Sequence, residues 1–256
     1  MRLDLHAPAA PAVILAAALA LGAPAAAQDL TPEEVKRLAL EAILENPEIV
    51  MEAVELLRER EEAAQAEATR ATIAELGDAL ERDPEAPVLG NPQGDVTVVE
   101  FFDYNCPYCK RAAGEVKALI EGDANLRVVY REWPILGEGS LFAARAALAA
   151  RAQGKYEDLH WALMADQTRK DEAAVLRIAG SVGIDLERLK ADMSDPAIDA
   201  HIARSNELAK SLGFTGTPSF VVGQEAVFGY VPAAELEKLV AAARDGTPAP
   251  DPAPGE

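Results

Sequence analysis

Cysteine is nearly absent from the chain: two in 256 residues, both within Cys106-Pro107-Tyr108-Cys109. A disulfide scaffold is therefore excluded, and a bridge across so short a loop would remove little unfolded-state entropy. Histidine is almost as scarce. His160 and His201, the only two beyond the N-terminal segment, are not at ligand spacing from the cysteines, so a zinc site is not expected. Basic residues are few, 24 Lys and Arg against 43 Asp and Glu, for a net charge of −19. That balance excludes nucleic acid as a partner, argues equally against an anionic membrane surface, and promises solubility. Long apolar runs are missing too, since the run at 12–22 is too short to span a bilayer.

What the N-terminus does contain is a leader. Arg2 supplies the charge, 12–22 the short apolar core, and Ala25-Ala26-Ala27 a cleavage site, so residues 1–27 are expected to be a signal peptide. The expected location is the periplasm, with no membrane anchor. In an oxidising compartment, two cysteines confined to one Cys-x-x-Cys serve exchange rather than stapling.

The cysteines follow Val96-Thr97-Val98-Val99-Glu100-Phe101-Phe102, an apolar, β-branched and aromatic run that predicts a buried strand. A polar turn, Asp103-Tyr104-Asn105, separates it from a helix that Pro107 opens. Cys106 thus stands at a helix mouth, where unpaired N–H groups and the dipole favour thiolate, the form that attacks disulfides. Cys109 lies one turn deeper, within reach to close a disulfide or resolve a mixed one. Cys106 is expected to be the exposed nucleophile, Cys109 the resolving thiol, and Pro107 and Tyr108 the residues that shape the site.

Thr31-Pro32-Glu33-Glu34 is a helix start with a capping box, and Asn46-Pro47-Glu48 restarts the signal after a break near Glu45. A second helix is expected from Pro47 to about Arg82. Val50, Val54, Leu57, Ala64, Ala68 and Ala71 form a narrow stripe on it, which then shifts to Ile73, Leu76 and Leu80. Residues 28–82 are therefore expected to form a helical arm whose stripe meets a second copy of the chain, unless it folds back on the chain's own following domain or stands as a solvated helix. Eight Glu against two Arg over 41–62 oppose close parallel packing of copies. Residues 83–95, with Pro84, Pro87, Gly90, Pro92 and Gly94, are expected to be a linker that lets the domains swing.

After the Cys106 helix comes a strand at 126–132, then helical periodicity without strand signal over about 137–213. His160, Trp161 and His201 fall in this stretch and are expected to be packing residues. Strand pattern returns at 219–222 and 226–230, and Pro232 opens a last amphipathic helix. Strand, helix, strand, helical insert, hairpin and helix make an α/β class: a thioredoxin fold over 96–245 with an inserted all-helical domain. The Pro- and Ala-rich residues 246–256 are expected to be a disordered tail.

The Cys-Pro-Tyr-Cys site, the insert and Thr217-Pro218 together resemble the DsbA superfamily of exported thiol–disulfide oxidoreductases, over residues 88–244. The resemblance implies that Pro218 is cis and lies against the cysteines, and that Thr217 and Pro218 bind an extended substrate backbone. It implies that Glu100, six residues before Cys106, is a buried acid that takes the Cys109 proton through a water. The arm ahead of the site is similar to the ScsC branch, the suppressor-of-copper-sensitivity proteins, which includes oligomeric disulfide isomerases. Tyr108 stands where the strongly oxidising members have His, and a neutral phenol stabilises the thiolate less.

The expected activity is that of a periplasmic disulfide isomerase or reductase acting on disulfide-containing exported proteins. Its partners are expected to be a membrane thiol–disulfide redox protein and further copies of itself through the arm, with no cofactor beyond a redox-active Cys106–Cys109 disulfide. Two alternatives stay open: a monomeric DsbA-like oxidase, and a periplasmic protein holding Cu(I) on its two thiolates.

Overall fold

The computed structural model describes residues 30–247. The leader expected at 1–27 and the tail beyond Thr247 lie outside the described residues. The chain divides into two compact units, Met1–Leu57 and Arg58–Glu256.

In the first unit, Thr31 caps α1 (Pro32–Glu45) with the full capping box to Glu34, as its sequence predicts. Helix α2 (Glu48–Glu81) restarts after the Asn46-Pro47 break. No residue of α1 is buried, and Val50, Val54 and Leu57 on the start of α2 are exposed.

The second unit is built on a five-stranded sheet of order β1-β3-β2-β4-β5. Its strands are β1 (Val88–Gly90), β2 (Val96–Phe102), β3 (Leu126–Glu132), β4 (Ser219–Val222) and β5 (Glu225–Phe228). Central β2 runs parallel to β3 and antiparallel to β4, and a near-continuous apolar run suits a strand covered on both faces. One face, with Val98, Phe102, Val128, Tyr130 and Phe220, packs on α3 (Pro107–Gly122), α9 (Ala233–Asp245) and the helical insert. The insert comprises α4 (Glu138–Ala149), a 3-10 turn, α5 (Tyr156–Ala165), α6 (Glu172–Ser181), α7 (Leu186–Asp192) and α8 (Pro196–Ser211).

The other face, with Val99, Phe101, Val129 and Val221, is covered by Ile73 and Leu80 of α2 and by Leu208, Ala209 and Leu212 at the end of α8. The shift in the α2 stripe thus marks where the helix packs on its own domain. The sequence places all of 28–82 in the arm, whereas α2 from Arg58 onward falls in the second unit.

The linker expected at 83–95 is corrected by the structure. Residues 88–90 pair antiparallel with β3 as its edge strand, and Leu89 is buried. Arg131, with no exposed surface, donates to Asp83 Oδ2 at 2.8 Å, to the Leu80 carbonyl at 2.9 Å and to the Ala79 carbonyl. It satisfies the last carbonyls of α2 and pins the following turn. Arg204 reaches the same Asp83 carboxylate at 3.1 Å. The Pro and Gly residues here shape a fixed connection. At the other end, Gly246 caps α9 in a left-handed conformation and Thr247 N–H donates to the Ala242 carbonyl at 3.0 Å, so these two residues of the expected tail finish a helix.

Candidate active site

Cys106 is the N-cap of α3, and Pro107 opens the helix. The turn before it is set by Asp103, a buried carboxylate. Its Oδ1 accepts from Asn105 N–H at 2.7 Å and its Oδ2 from Leu136 N–H at 2.9 Å, which ties the end of β2 to the loop after β3. Asp two residues before Asn is an Asx-turn signal. The sequence marks this stretch only as a polar turn.

Cys106 is more covered than expected, at 4% exposure. The β2–β4 register explains the cover. Ser219 pairs with Phe101, so the residues before it reach the C-terminal end of β2, where α3 begins. Thr217–Pro218 is a cis peptide bond there, and the Cys106 thiol donates to the Thr217 carbonyl at 3.1 Å. Thr217 and Pro218 are thus brought to the cysteine. The side chains open to solvent are Pro107 and Tyr108, the latter 60% exposed.

The two thiols are driven apart in acidity. A hydrogen bond from the Cys109 thiol is the main influence lowering Cys106 to about 6; burial opposes it, and the Thr217 hydroxyl and the Cys109 and Tyr108 backbone N–H groups assist. The bond to the Thr217 carbonyl favours the thiol form, but the groups favouring thiolate prevail. Tyr108 acts here through its backbone rather than its phenol. Burial pushes Cys109, with no exposed surface, well above the ordinary thiol range, and the charges of Cys106 and Glu100 add to the effect. An acidic outer thiol and a reluctant inner one suit sequential attack and resolution.

Glu100 is 1% exposed, and its Oε1 has no hydrogen-bond partner in the protein. Burial, then the nearby Cys106 charge, pushes its carboxyl up to about 8. It lies on the α3 side of the sheet and pairs in register with Tyr130, a buried residue whose hydroxyl is also without a protein partner. Sequence reasoning passes over Tyr130, because a Tyr in a strand is ordinary. His160 is a core residue, as expected: Tyr104 Oη is 3.1 Å from its Nδ1, and burial lowers it to about 3, which keeps it neutral. His201 is likewise buried, with Nε2 2.8 Å from Glu132 Oε2.

Also missing from the sequence reading are Lys110 and Lys170. Burial and the neighbouring Lys170 charge lower Lys110 to about 8. Among the described residues no group of three or more His, Cys, Asp or Glu is placed to hold a metal ion. No helix of the described residues is long and apolar enough to cross a membrane.

Comparison with known proteins agrees with this geometry. The profile of the DSBA-like thioredoxin domain matches residues 97–241. A thioredoxin-like oxidoreductase from Silicibacter pomeroyi DSS-3 is 62% identical, covering 66% of this chain and 97% of its own, with a TM-score of 0.65. ScsC of Proteus mirabilis, in a transitional conformation, is 28% identical over 86% of this chain and 99% of its own, with a TM-score of 0.64. Among curated relatives, the Na(+)/H(+) antiporter NhaA 3 of Salinispora tropica is 34% identical over 143 residues, 55% of this chain. The chain spans only 22% of that relative's length.

Proposed function

The chain belongs to the DSBA-like thioredoxin domain family, a family of thiol–disulfide oxidoreductases, and from that premise we propose that it is a periplasmic disulfide isomerase or reductase of exported proteins. The observation that carries the reading is the opposed acidity of Cys106 and Cys109 beside Thr217–Pro218. Cys106 thiolate attacks one sulfur of a substrate disulfide, forming a mixed disulfide and expelling the other sulfur as thiolate. In isomerisation that thiolate attacks elsewhere in the substrate, and Cys106 is finally expelled unchanged. In reduction Cys109 attacks Cys106, leaving a Cys106–Cys109 disulfide and a substrate reduced by two electrons. A membrane thiol–disulfide partner then returns the pair to dithiol. Glu100, titrating near 8, is mostly protonated at neutral pH; its ionised fraction takes the Cys109 proton and its protonated form returns it. Thr217 and Pro218 hold the substrate backbone.

The first unit supplies the second part of the reading. Its exposed apolar side chains include Leu44 at 72% and Met51 at 68%, with Val35, Leu38, Ile43, Val50 and Val54. Such a surface on an exported protein calls for a partner, and the proposed partner is further copies of the chain. An oligomer would hold several sites near one substrate and keep oxidising machinery from the thiols.

The mature chain is expected to scatter light as an oligomer and to reactivate scrambled ribonuclease. A chain beginning at Arg58 is expected to be monomeric, retaining exchange but losing isomerisation. The low Cys106 pKa favours a second reading, because it stabilises the reduced pair and makes the disulfide a good oxidant. A monomeric mature chain that oxidises dithiol substrates would select this oxidase reading.

A further inference from the structure

The loop joining α5 to α6 is held by a lysine with no exposed surface. Lys170 Nζ donates to the carbonyl oxygens of Asp166 and Thr168, both at 2.6 Å, and to Asp166 Oδ1 at 3.0 Å. Asn105, the neighbour of Cys106, grips the Lys170 backbone twice. Its Oδ1 accepts from Lys170 N–H at 2.7 Å, and its Nδ2 donates to the Lys170 carbonyl at 3.1 Å. Lys110 Nζ donates to the Thr168 carbonyl at 3.0 Å. Gly139 packs so near the loop that a Cβ there would collide with the Lys170 carbonyl. Burying a cation is costly unless its hydrogen bonds are met, and here they all go into the shape of one loop beside the nucleophile.

What the fixed loop presents is Arg169, exposed and in no ion pair among the described residues. Arg169 and Gln167 face Asn105, Pro107, Lys110 and Leu136 across a cleft of 410 Å³ next to Cys106. Two cations line it and no carboxylate does. The loop's own Asp166 is neutralised by Lys170 at 3.0 Å and Arg177 at 3.3 Å. In a chain of net charge −19, this is a local reversal of sign.

We propose that this cleft selects substrates by charge, taking a carboxylate side chain that flanks the substrate cysteine under attack. The inference rests on the reading of Cys106 as nucleophile and adds no step to the exchange. Lys110 and Arg169 attract the carboxylate, and the rigid loop holds their spacing.

The test uses two peptide disulfides that differ only in having Glu or Lys on both sides of the cysteine. Each reacts with an excess of the reduced full-length protein, and released peptide thiol is followed through a single turnover. The acidic peptide is expected to react about three to ten times faster at low salt, with the difference fading near 1 M salt. Net charge acts in the opposite sense at long range, so it cannot produce that preference. Arg169→Glu should bring the ratio to one or below, and Arg169→Lys should keep most of it. The ratio is the readout, so a general change in activity cancels. Equal rates, a faster basic peptide, or a ratio that survives Arg169→Glu overturns the inference alone. If neither peptide is reduced, the nucleophile reading falls and takes the inference with it.

Discussion

The sulfur of Cys106 lies 3.1 Å from the carbonyl oxygen of Thr217, a residue 111 positions away. The whole helical insert is threaded between them. The β2–β4 register brings the chain back to the cysteine, and the contact decides what a substrate meets: a covered sulfur beside a half-buried Thr217.

The first expectation concerns acidity. The rate of Cys106 alkylation should rise with pH through a midpoint near 6 and level off above about 7, because only the thiolate reacts. Thr217→Val removes a hydroxyl that favours the thiolate and should raise the midpoint by about one unit, leaving the fold intact. A midpoint in the ordinary thiol range in the parent protein would contradict the thiolate assignment.

Glu100→Gln should act on both stability and chemistry. The folded carboxyl titrates near 8, so between about 4.5 and 8 the unfolded chain ionises while the folded one does not. The native state therefore loses stability as pH rises through that window, and the Gln variant does not. Urea unfolding should show the variant gaining up to ~3 kcal/mol on the parent from pH 4.5 to 7. Mixed disulfides should also resolve tenfold or more slowly in the variant, as removal of an acid–base group implies. A pH-independent difference in stability would argue against a buried neutral acid.

Asp83→Asn tests the connection after α2. It leaves the buried Arg131 guanidinium without its counter-charge and should cost about 3 kcal/mol in thermal or urea unfolding at pH 7. Burial would raise the Asp83 carboxyl, but Arg131, the Glu85 N–H and Arg204 bring it down to about 2. Its contribution is therefore complete above about pH 4 and is lost as pH falls through 2. The difference between variant and parent should stay constant from pH 7 to 5.

Truncation should separate the two halves of α2. A chain starting at Arg58 keeps Ile73, Leu80 and Asp83 and should unfold at nearly the parent temperature. One starting at Ala86 uncovers Phe101, Trp133 and Leu212 and should be several kcal/mol less stable. Equal stability of the two chains would show that α2 contributes nothing to the core.

The parts legible in the sequence are those with local signals: the strand before Cys106, the Pro-opened helix after it, and the capping box of α1. Glu100 and Thr217–Pro218 are singled out only by family resemblance; the first is buried and the second is a cis peptide bond whose Thr217 carbonyl meets Cys106. The missed features depend on distant partners. Arg131 and Asp83 are 48 positions apart, so the Pro and Gly residues around Asp83 look like a linker until Arg131 is seen to hold it. Strand β1 has three residues, too few to leave a period. Lys170 resembles any surface lysine, because burial is a property of the carbonyl oxygens folded around it. The shift of the α2 stripe to Ile73 was visible, but nothing local says which surface receives it.

The most direct test traps the first covalent step. Cys109→Ser protein is mixed with a peptide disulfide, quenched in acid and mapped by mass spectrometry. The expected product is a stable adduct in which Cys106 carries one half of the peptide, with one peptide thiol released per chain. Cys106→Ser treated alike should give neither. Absence of an adduct on Cys106, or an adduct on Cys109 in the Cys106→Ser protein as its counterpart, would contradict the assignment of Cys106 as the nucleophile.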